Sequence, residues 1–427
     1  MKINKSFLIE PVEDNVLIAE AFWIEKEYKN EILNIELPNK LPLITYITGE
    51  SGCWKTTLLK ELNKKESKVK IQKNIVLCKW GEKYGLKEEQ TLQYLSIVWL
   101  SDAILFLSKF DNLSDSQKYR ARIAELFMRG DDEIILDEFL STLDRKTAKS
   151  VSFCIQKACR KLNKKLICVT AHSDLKEYLL PDLIIEGKAF PSKWSVKKNK
   201  NIILANPYLN KITIKKVDKY YYKDCELANL HYKWKYTGGV KEIYSMELEN
   251  ETIWILLTIF EKVNKKEWRK ISRVVIHPSY RWIWLGQELV KYCLQYSKEN
   301  NMDVTAISSM SKFNPFFEKA GMKRLQDANY KPKNSFIKEL ELLNFNFSIW
   351  YKRSYCEKCC EMISFRNLLA KYSKDFNKHV NVWGVHISDE EVKEKLINFP
   401  KTAWRILWFL RPRTYAKYKF ETKIKEI

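Results

Sequence analysis

The stretch LPLITYITGESGCWKTTLLKEL, Leu41 to Leu62, decides how the first part of this chain folds. Leu41 to Thr48 is a largely apolar run of strand character, and the residues after Lys55 place leucines at helical spacing. Between them a short loop carries Gly49, Ser51 and Gly52, and the helix opens on Lys55, Thr56 and Thr57. A strand, a tight loop, a Lys-Thr pair and an amphipathic helix suit phosphate, because loop amides and a helix N-terminus both present N–H groups to an anion. In such a loop Lys55 neutralises phosphate charge, and the Thr56 hydroxyl is a ligand for Mg2+.

Three further stretches follow in order: LSDSQKYRARIAELF from Leu113, EIILDEFLSTLDRKTA from Glu133 and KLICVTAHSDL from Lys165. Together with the loop they resemble the consecutive landmarks of ATP-binding cassette (ABC) ATPases: signature, Walker B strand, D-loop and switch histidine. The resemblance implies ATP and Mg2+ as cofactors, with Gly49, Ser51, Gly52, Lys55, Thr56 and Thr57 around the phosphates. It implies that Asp137 holds Mg2+ together with Thr56, that Glu138 polarises the attacking water as general base, and that His172 contacts the γ-phosphate. Ser114 and Gln117 would bind the nucleotide of a second protomer, so a homodimer closed around two ATP molecules is implied, with the D-loop, Ser141 to Asp144, passing between the sites. Two departures stand out. The signature reads LSDSQ, with Asp115 and Ser116 at glycine positions, and Gln90 and Gln93 are both candidates for the Q-loop. The short interval from Gly49 to Glu138 leaves room for a small helical subdomain only.

A second pattern begins at RKISRVVIHPSYRWIWLGQELVKYCLQYSKENN, Arg269 to Asn301, where a β-branched strand meets an Arg-led loop and then an amphipathic helix. KFNPFFEKAGMKRL follows from Lys312. These stretches resemble the donor site of the GNAT N-acetyltransferases. The resemblance implies acetyl-CoA, with the backbone around Val275 and Ile276 along the pantetheine arm. It implies Arg281, Ile283, Leu285 and Gly286 at the pyrophosphate, and Asn314 and Phe317 beside the arm. The family's general acid is often a tyrosine near the second stretch, but Phe316 and Phe317 stand there, so acid and base are unassigned, and Tyr280 and His277 read as structural.

The expected fold class is therefore α/β: a P-loop NTPase of ABC type over 1–190, a linker over 191–207, a GNAT (acyl-CoA N-acyltransferase) α/β domain over 208–330, and a mostly helical extension over 331–427. The linker rests on PSKWSVKKNKNIILANP, which combines two prolines with a charge run. The net charge of +22 admits a nucleic-acid partner, although a lysine-rich excess also follows from A/T-rich coding. Ten scattered cysteines, no apolar run of about 18 residues and an N-terminus without an apolar core lead to the expectation of a cytoplasmic protein with free thiols and no membrane span. In the tail, Cys356, Cys359 and Cys360 read as buried thiols ahead of half a zinc site, and TAWRILWFLRPRTYAKYKF reads as an apolar helix ahead of a nucleic-acid surface. Three functions stay open: an acetyltransferase gated by ATP-driven dimerisation with a nucleic acid or protein as acceptor, a nucleic-acid-associated mechanical ATPase, and a transporter's ATPase subunit.

Trp54 occupies the phosphate-loop position that requires glycine, and Trp282 and Trp284 stand in the second loop where glycine is expected. The chain has 11 glycines and 14 tryptophans, whereas average usage gives roughly 30 glycines in a chain of this length. Our reading is that some tryptophan codons are UGA and are translated as glycine in the source cell, with Trp99, Trp234 and Trp254 as further candidates. The mass of the native peptide Ile47 to Lys55 is expected to show glycine at position 54. Tryptophan there would end the recoding idea and leave a degenerate phosphate loop.

Overall fold

The computed structural model describes residues 1–9, 16–21, 28–189, 192–199, 206–218, 220–230, 239–263, 266–277, 280, 283, 285–308, 315–325, 328–377 and 388–422. They fall into two compact units, one of Met1–Val304 with Lys319–Gly321 and Glu421–Ile427, the other of Thr305–Glu318 with Met322–Phe420.

The first unit opens with an antiparallel pair, β1 (Lys2–Ile9) and β2 (Tyr28–Glu36). Next come β3 (Ile44–Gly49), α1 (Lys55–Glu61), α2 (Glu88–Ile97), α3 (Asp115–Arg129), β4 (Glu133–Leu136), α4 (Arg145–Leu162), β5 (Lys165–Val169), β6 (Leu183–Lys188) and β7 (Lys193–Lys198). These strands form a five-stranded sheet in the order β4-β5-β3-β6-β7. All pairs are parallel except β6 with β7. Ile44, Tyr46, Ile47, Leu166, Ile167, Cys168 and Val169 are buried, as expected of strands covered on both faces. Helix α4 starts where the Asp144 carboxylate accepts the Thr147 N–H at 2.9 Å, and it stops at Asn163, which takes a left-handed φ of 51°.

Part of the stretch expected as linker behaves differently. Lys193–Lys198 pairs with β6 as an edge strand, and the Trp194 indole donates to the Ile32 carbonyl at 3.1 Å. The lysines that read as a charge run alternate with Trp194 and Val196, whose side chains pack against the sheet's apolar cluster. A period of two, hidden under the charge, decides the element.

The same unit continues into an antiparallel meander, β8 (Ile212–Val217), β9 (Val240–Leu248), β10 (Glu251–Val263) and β11 (Lys266–Ile276), followed by α5 (Leu285–Glu299). An ion pair lies buried here. The Arg269 guanidinium grips Glu242 of β9 through Nε and Nη2 and donates from Nη1 to Ser297 of α5. Arg269 is 2% exposed and Glu242 7%. Burial pushes the Glu242 carboxyl up, but hydrogen bonds from Arg269 and Lys216 outweigh it and hold the group below the usual range. The pair fastens two strands to the helix.

In the second unit α6 (Asn334–Leu342), α7 (Arg353–Glu361), α8 (Ile363–Lys371), α9 (Asp389–Asn398) and α10 (Pro400–Phe409) enclose a core that includes Phe336, Trp350, Leu369 and Leu407. Cys356, Cys359 and Cys360 lie in this core, and burial pushes the Cys356 thiol up to about 12. The stretch read as one apolar helix divides: α10 ends before Pro412, and Arg413–Phe420 is a strand with Ala416 and Tyr418 buried in alternation. Among the described residues no helix is long and apolar enough to cross a membrane.

Because removing one partner leaves an uncompensated buried charge, Glu242→Ala is expected to cost about 3–5 kcal/mol. Glu61→Ala, which breaks the exposed Lys5–Glu61 pair, should cost under about 1 kcal/mol. Denaturant titration of both variants checks the contrast. The depressed Glu242 carboxyl adds a pH dependence: its stabilisation is present above the unfolded carboxylate range and is lost as pH falls through the lower folded value.

Candidate functional site

Parallel pairing of β4, β5 and β3 brings the loops that follow them to one edge of the sheet. Leu136 is level with Cys168, and Ile47 with Val169, so β4 and β5 end within one residue of each other and β3 runs two residues further, to Gly49. In open parallel sheets this carboxyl edge is where ligands bind. It gathers Gly49 to Thr57, Asp137 and Glu138, and the turn containing His172.

Gly49 can be nothing larger, since a Cβ there would lie 2.1 Å from the Gly187 carbonyl oxygen. Gly52 has φ 82° and is open on all sides. Ser51 is exposed, and Thr57 is half-buried in the first turn of α1. The Lys55 ammonium lies back across the loop and donates to the carbonyls of Gly49 and Glu50 at 3.0 and 2.8 Å. The Thr56 hydroxyl donates to Asp137 Oδ2 at 3.0 Å, and Asp137 Oδ1 accepts the Glu138 N–H at 3.0 Å. A hydroxyl and a carboxylate side by side are hard oxygen ligands that fit Mg2+. An ammonium lying across a loop at the start of a helix suits phosphate oxygens.

The turn after Asp137 is bent tightly. Glu138 and Leu140 have φ values of 49° and 55°, a conformation that costs a side-chain-bearing residue roughly 1–2 kcal/mol. Three bonds hold it: the Phe139 N–H donates to the Val169 carbonyl at 2.7 Å, Ser141 N–H to the Glu138 carbonyl at 3.1 Å, and the Leu140 N–H to the Tyr119 phenol of α3 at 3.2 Å. Glu138 itself is exposed. His172 is half-buried, and its carbonyl accepts from the hydroxyls of Tyr46 and Thr48, both on β3. An Arg145–Asp174 ion pair joins the start of α4 to the His172 turn. Tyr46, Thr48, Tyr119, Arg145 and Asp174 were not legible as site supports, because each acts on a residue distant in the chain.

Ser114 and Gln117 meet each other. The Ser114 hydroxyl accepts the Gln117 N–H at 3.4 Å, and Gln117 Oε1 accepts the Ser114 N–H at 3.0 Å. They form a capping box at the start of α3, which leaves that helix end at the surface. Gln90 is spent in the same way, accepting the Lys87 N–H at 2.9 Å, while Gln93 is on the exposed side of α2.

Trp54 precedes α1 at φ 66°, ψ 30°, with its indole 41% exposed and its ring centroid 5.7 Å from Phe7. Trp99 also has φ 66°, just beyond α2, where its carbonyl accepts from Arg120 at 3.2 Å. Both backbones have the left-handed form that glycine adopts freely. Trp254 is different: it sits within β10, is 2% exposed, and its ring fills the space where a Cβ on Gly286 would go. Trp234, Trp282 and Trp284 lie outside the described residues.

Around the second loop, Val275 packs in the core with Ile243, Ile255 and Leu257, and its backbone is paired with Ile255 of β10. Ile276 closes β11 opposite Trp254. The His277 N–H donates to the Ile253 carbonyl at 2.8 Å, and the Tyr280 N–H donates to the His277 carbonyl at 3.0 Å. Ile283 and Leu285 are fully buried at the entry to α5, and Glu288 in its first turn is paired with Lys291. The opening of a 15-residue helix fits a pyrophosphate. Arg281 and Asn314 lie outside the described residues. Phe317 belongs to the second unit, where it is 8% exposed and packs on Phe316 and Tyr418.

No family model matches the chain. Among curated proteins it is 31% identical over 127 residues to the energy-coupling factor transporter ATP-binding protein EcfA2 of Spiroplasma kunkelii, covering 29% of this chain and 41% of that protein. It is 26% identical over 152 residues to the probable peptide export ATP-binding protein YydI of Bacillus subtilis (strain 168), covering 31% of this chain and 73% of that protein. The chain thus spans about two fifths of the length of the first of these relatives. Solved structures similar to it include the dimeric bacterial ABC transporter cassette MJ0796, at 16% identity and TM-score 0.32 over 46% of this chain and 98% of that one. They also include the ribosomal-protein-S18-alanine N-acetyltransferase of Escherichia coli, at 11% identity and TM-score 0.24 over 29% of this chain and 86% of that one. The N-terminal part of the chain is homologous to ABC ATP-binding proteins, and N-acetyltransferases are among the structural neighbours of another part.

Proposed function

We propose that residues 1–190 hydrolyse ATP as an ABC-type cassette and that 208–330 transfer an acetyl group from acetyl-CoA to an amine. The observation that carries the first half is the Thr56–Asp137 contact at the sheet edge shared with Glu138 and the His172 turn. In this reading Lys55 and the amides of Gly49 to Thr57 hold the phosphates, and Thr56 and Asp137 hold Mg2+, which spreads the developing negative charge of phosphoryl transfer. Glu138, exposed on its bent turn, accepts the proton of the attacking water. The exposed start of α3, with Ser114 and Gln117, suits a nucleotide presented by a second copy, since a helix N-terminus favours an anion. The protein would work as a homodimer.

The acetyl half rests on the strand-loop-helix order of β11 and α5. The backbone of Val275 and Ile276, the loop of Arg281 to Leu285 and Gly286 would hold the donor. Alignment of an amine with the thioester supplies most of what such a transfer needs. A nucleic acid or a protein is the proposed acceptor class, in keeping with the net charge of +22. The relatives' names favour another reading, a transporter's ATPase subunit, and co-purification with an integral membrane protein would establish it.

Trp54→Gly is expected to bind ATP at least tenfold more tightly than a chain carrying tryptophan at 54, measured by calorimetry. Adding Glu138→Gln to that protein should lower turnover on the order of 100-fold or more and trap an ATP-bound dimer in light scattering. A double variant that binds ATP yet stays monomeric would sink the dimer.

A further inference from the structure

The segment that enters the meander is wedged between the two proposed sites. Tyr208 is 4% exposed, and its phenol lies 2.7 Å from the hydroxyl of Ser150, which is fully buried on α4. Its ring packs on Tyr178 at 5.1 Å, on Phe153 of α4 at 6.4 Å and edge-on to Tyr280 at 6.4 Å. Two residues earlier, the Asn206 amide donates to the Ile283 carbonyl at 2.7 Å, while its Oδ1 accepts the Tyr208 N–H at 3.1 Å. Asn206 thus ties the loop ahead of α5 to the backbone of Tyr208, and Tyr208 is tied to α4.

Both catalytic turns of the ATPase half lead into this joint. Helix α4 begins at Arg145, directly after the D-loop, and Ser150 is on its second turn. Tyr178 follows the His172 turn, and its neighbour Glu177 pairs with Lys211 at 3.1 Å. The Lys211 ammonium also lies 5.5 Å from the Tyr178 ring centroid. A second ion pair, Lys146–Glu251, connects the first turn of α4 to the start of β10. On the far side the joint touches Tyr280, just ahead of the proposed pyrophosphate loop, and Ile283 within it. Side chains this closely packed cannot shift one at a time.

We propose that Asn206 and Tyr208 are positioning residues that make the shape of the acetyl-CoA loop depend on nucleotide in the ATPase half. The inference rests on the two-site reading above. ATP closing the cassette would shift α4 and the His172 turn, Tyr208 would follow through Ser150 and Tyr178, and Asn206 would carry the shift to the Ile283 carbonyl. Acetyl-CoA affinity would then change with nucleotide and, by linkage, ATP affinity would change with acetyl-CoA by the same factor.

The test uses the full chain with glycine at 54 and measures acetyl-CoA dissociation constants by calorimetry, with and without a non-hydrolysable ATP analogue. We expect the analogue to change acetyl-CoA affinity by about 5-fold or more, within the usual range of allosteric coupling. Tyr208→Phe keeps the ring and removes the phenol. It should cut that effect below about 2-fold while leaving affinity without nucleotide unchanged, and Ser150→Ala should reproduce it without adding to it in the double variant. Asn206→Ala should weaken acetyl-CoA binding in both states and abolish the nucleotide effect. An analogue effect that survives in all three variants, or that is absent from the parent, overturns the coupling and leaves the two-site reading standing. Failure of the parent to bind acetyl-CoA at all overturns that reading and the coupling together.

Discussion

Parallel pairing of three short strands is the constraint on which the part of the chain homologous to ABC ATP-binding proteins depends. β4, β5 and β3 are hydrogen-bonded neighbours that run in the same direction and end within three residues of one another, so three loops separated by long stretches of chain emerge at one edge. The strands are buried on both faces, and a slip of one residue would move every side chain to the opposite face, against the wrong packing partners. Register is therefore tightly specified, and with it the distance from Thr56 to Asp137. The bent turn at Glu138 adds to this dependence. Its left-handed residues persist because the Val169 carbonyl and the Tyr119 phenol occupy the N–H groups of Phe139 and Leu140. Strain of this kind is stable only where the surroundings over-determine it.

The meander is organised by a different interaction. Glu242 on β9 and Arg269 on β11 meet across the intervening β10, and Ser297 brings α5 into the same network. A buried pair of this sort adds little net stability over apolar packing, but it tolerates few alternative arrangements. It sets where α5 lies against the strands, and the opening of α5 is where a donor pyrophosphate would sit. In the proposed reading the two halves would reach the same kind of anion site, a helix N-terminus after a strand, by parallel pairing in one case and by a buried charge pair in the other.

Much of this was legible along the chain. Gly49 to Thr57 announce a phosphate loop because the strand, the loop and the helix are consecutive, and Asp137, Glu138 and His172 could be placed because each ends an apolar run. Local competition blurred other assignments. Lys193 to Lys198 looked like a charged linker since its alternation with Trp194 and Val196 is masked by lysine. Ser114 and Gln117 carry two readings at once, as a helix cap and as a nucleotide contact, because both use the same N–H groups. Trp54 and Trp99 looked misplaced from composition, and their left-handed backbones give that suspicion a physical form. Trp254, suspected with them, proves to be packed against Gly286 inside the sheet.

The sequence by itself determined the strand, loop and helix order from Leu41 to Leu62 and the residue types that the first loop presents, since strand period, helix spacing and glycine positions act over a few residues. Tertiary structure alone decided which side chains hold the site in place: Tyr46 and Thr48 on the His172 carbonyl, Tyr119 on the turn after Glu138, Arg145 on Asp174, and Tyr208 between Ser150 and Tyr280. None of these partners is adjacent in the chain. Hydrogen bonds and ring contacts of that kind carry no local signal, because they exist only once the strands have paired and the helices have packed.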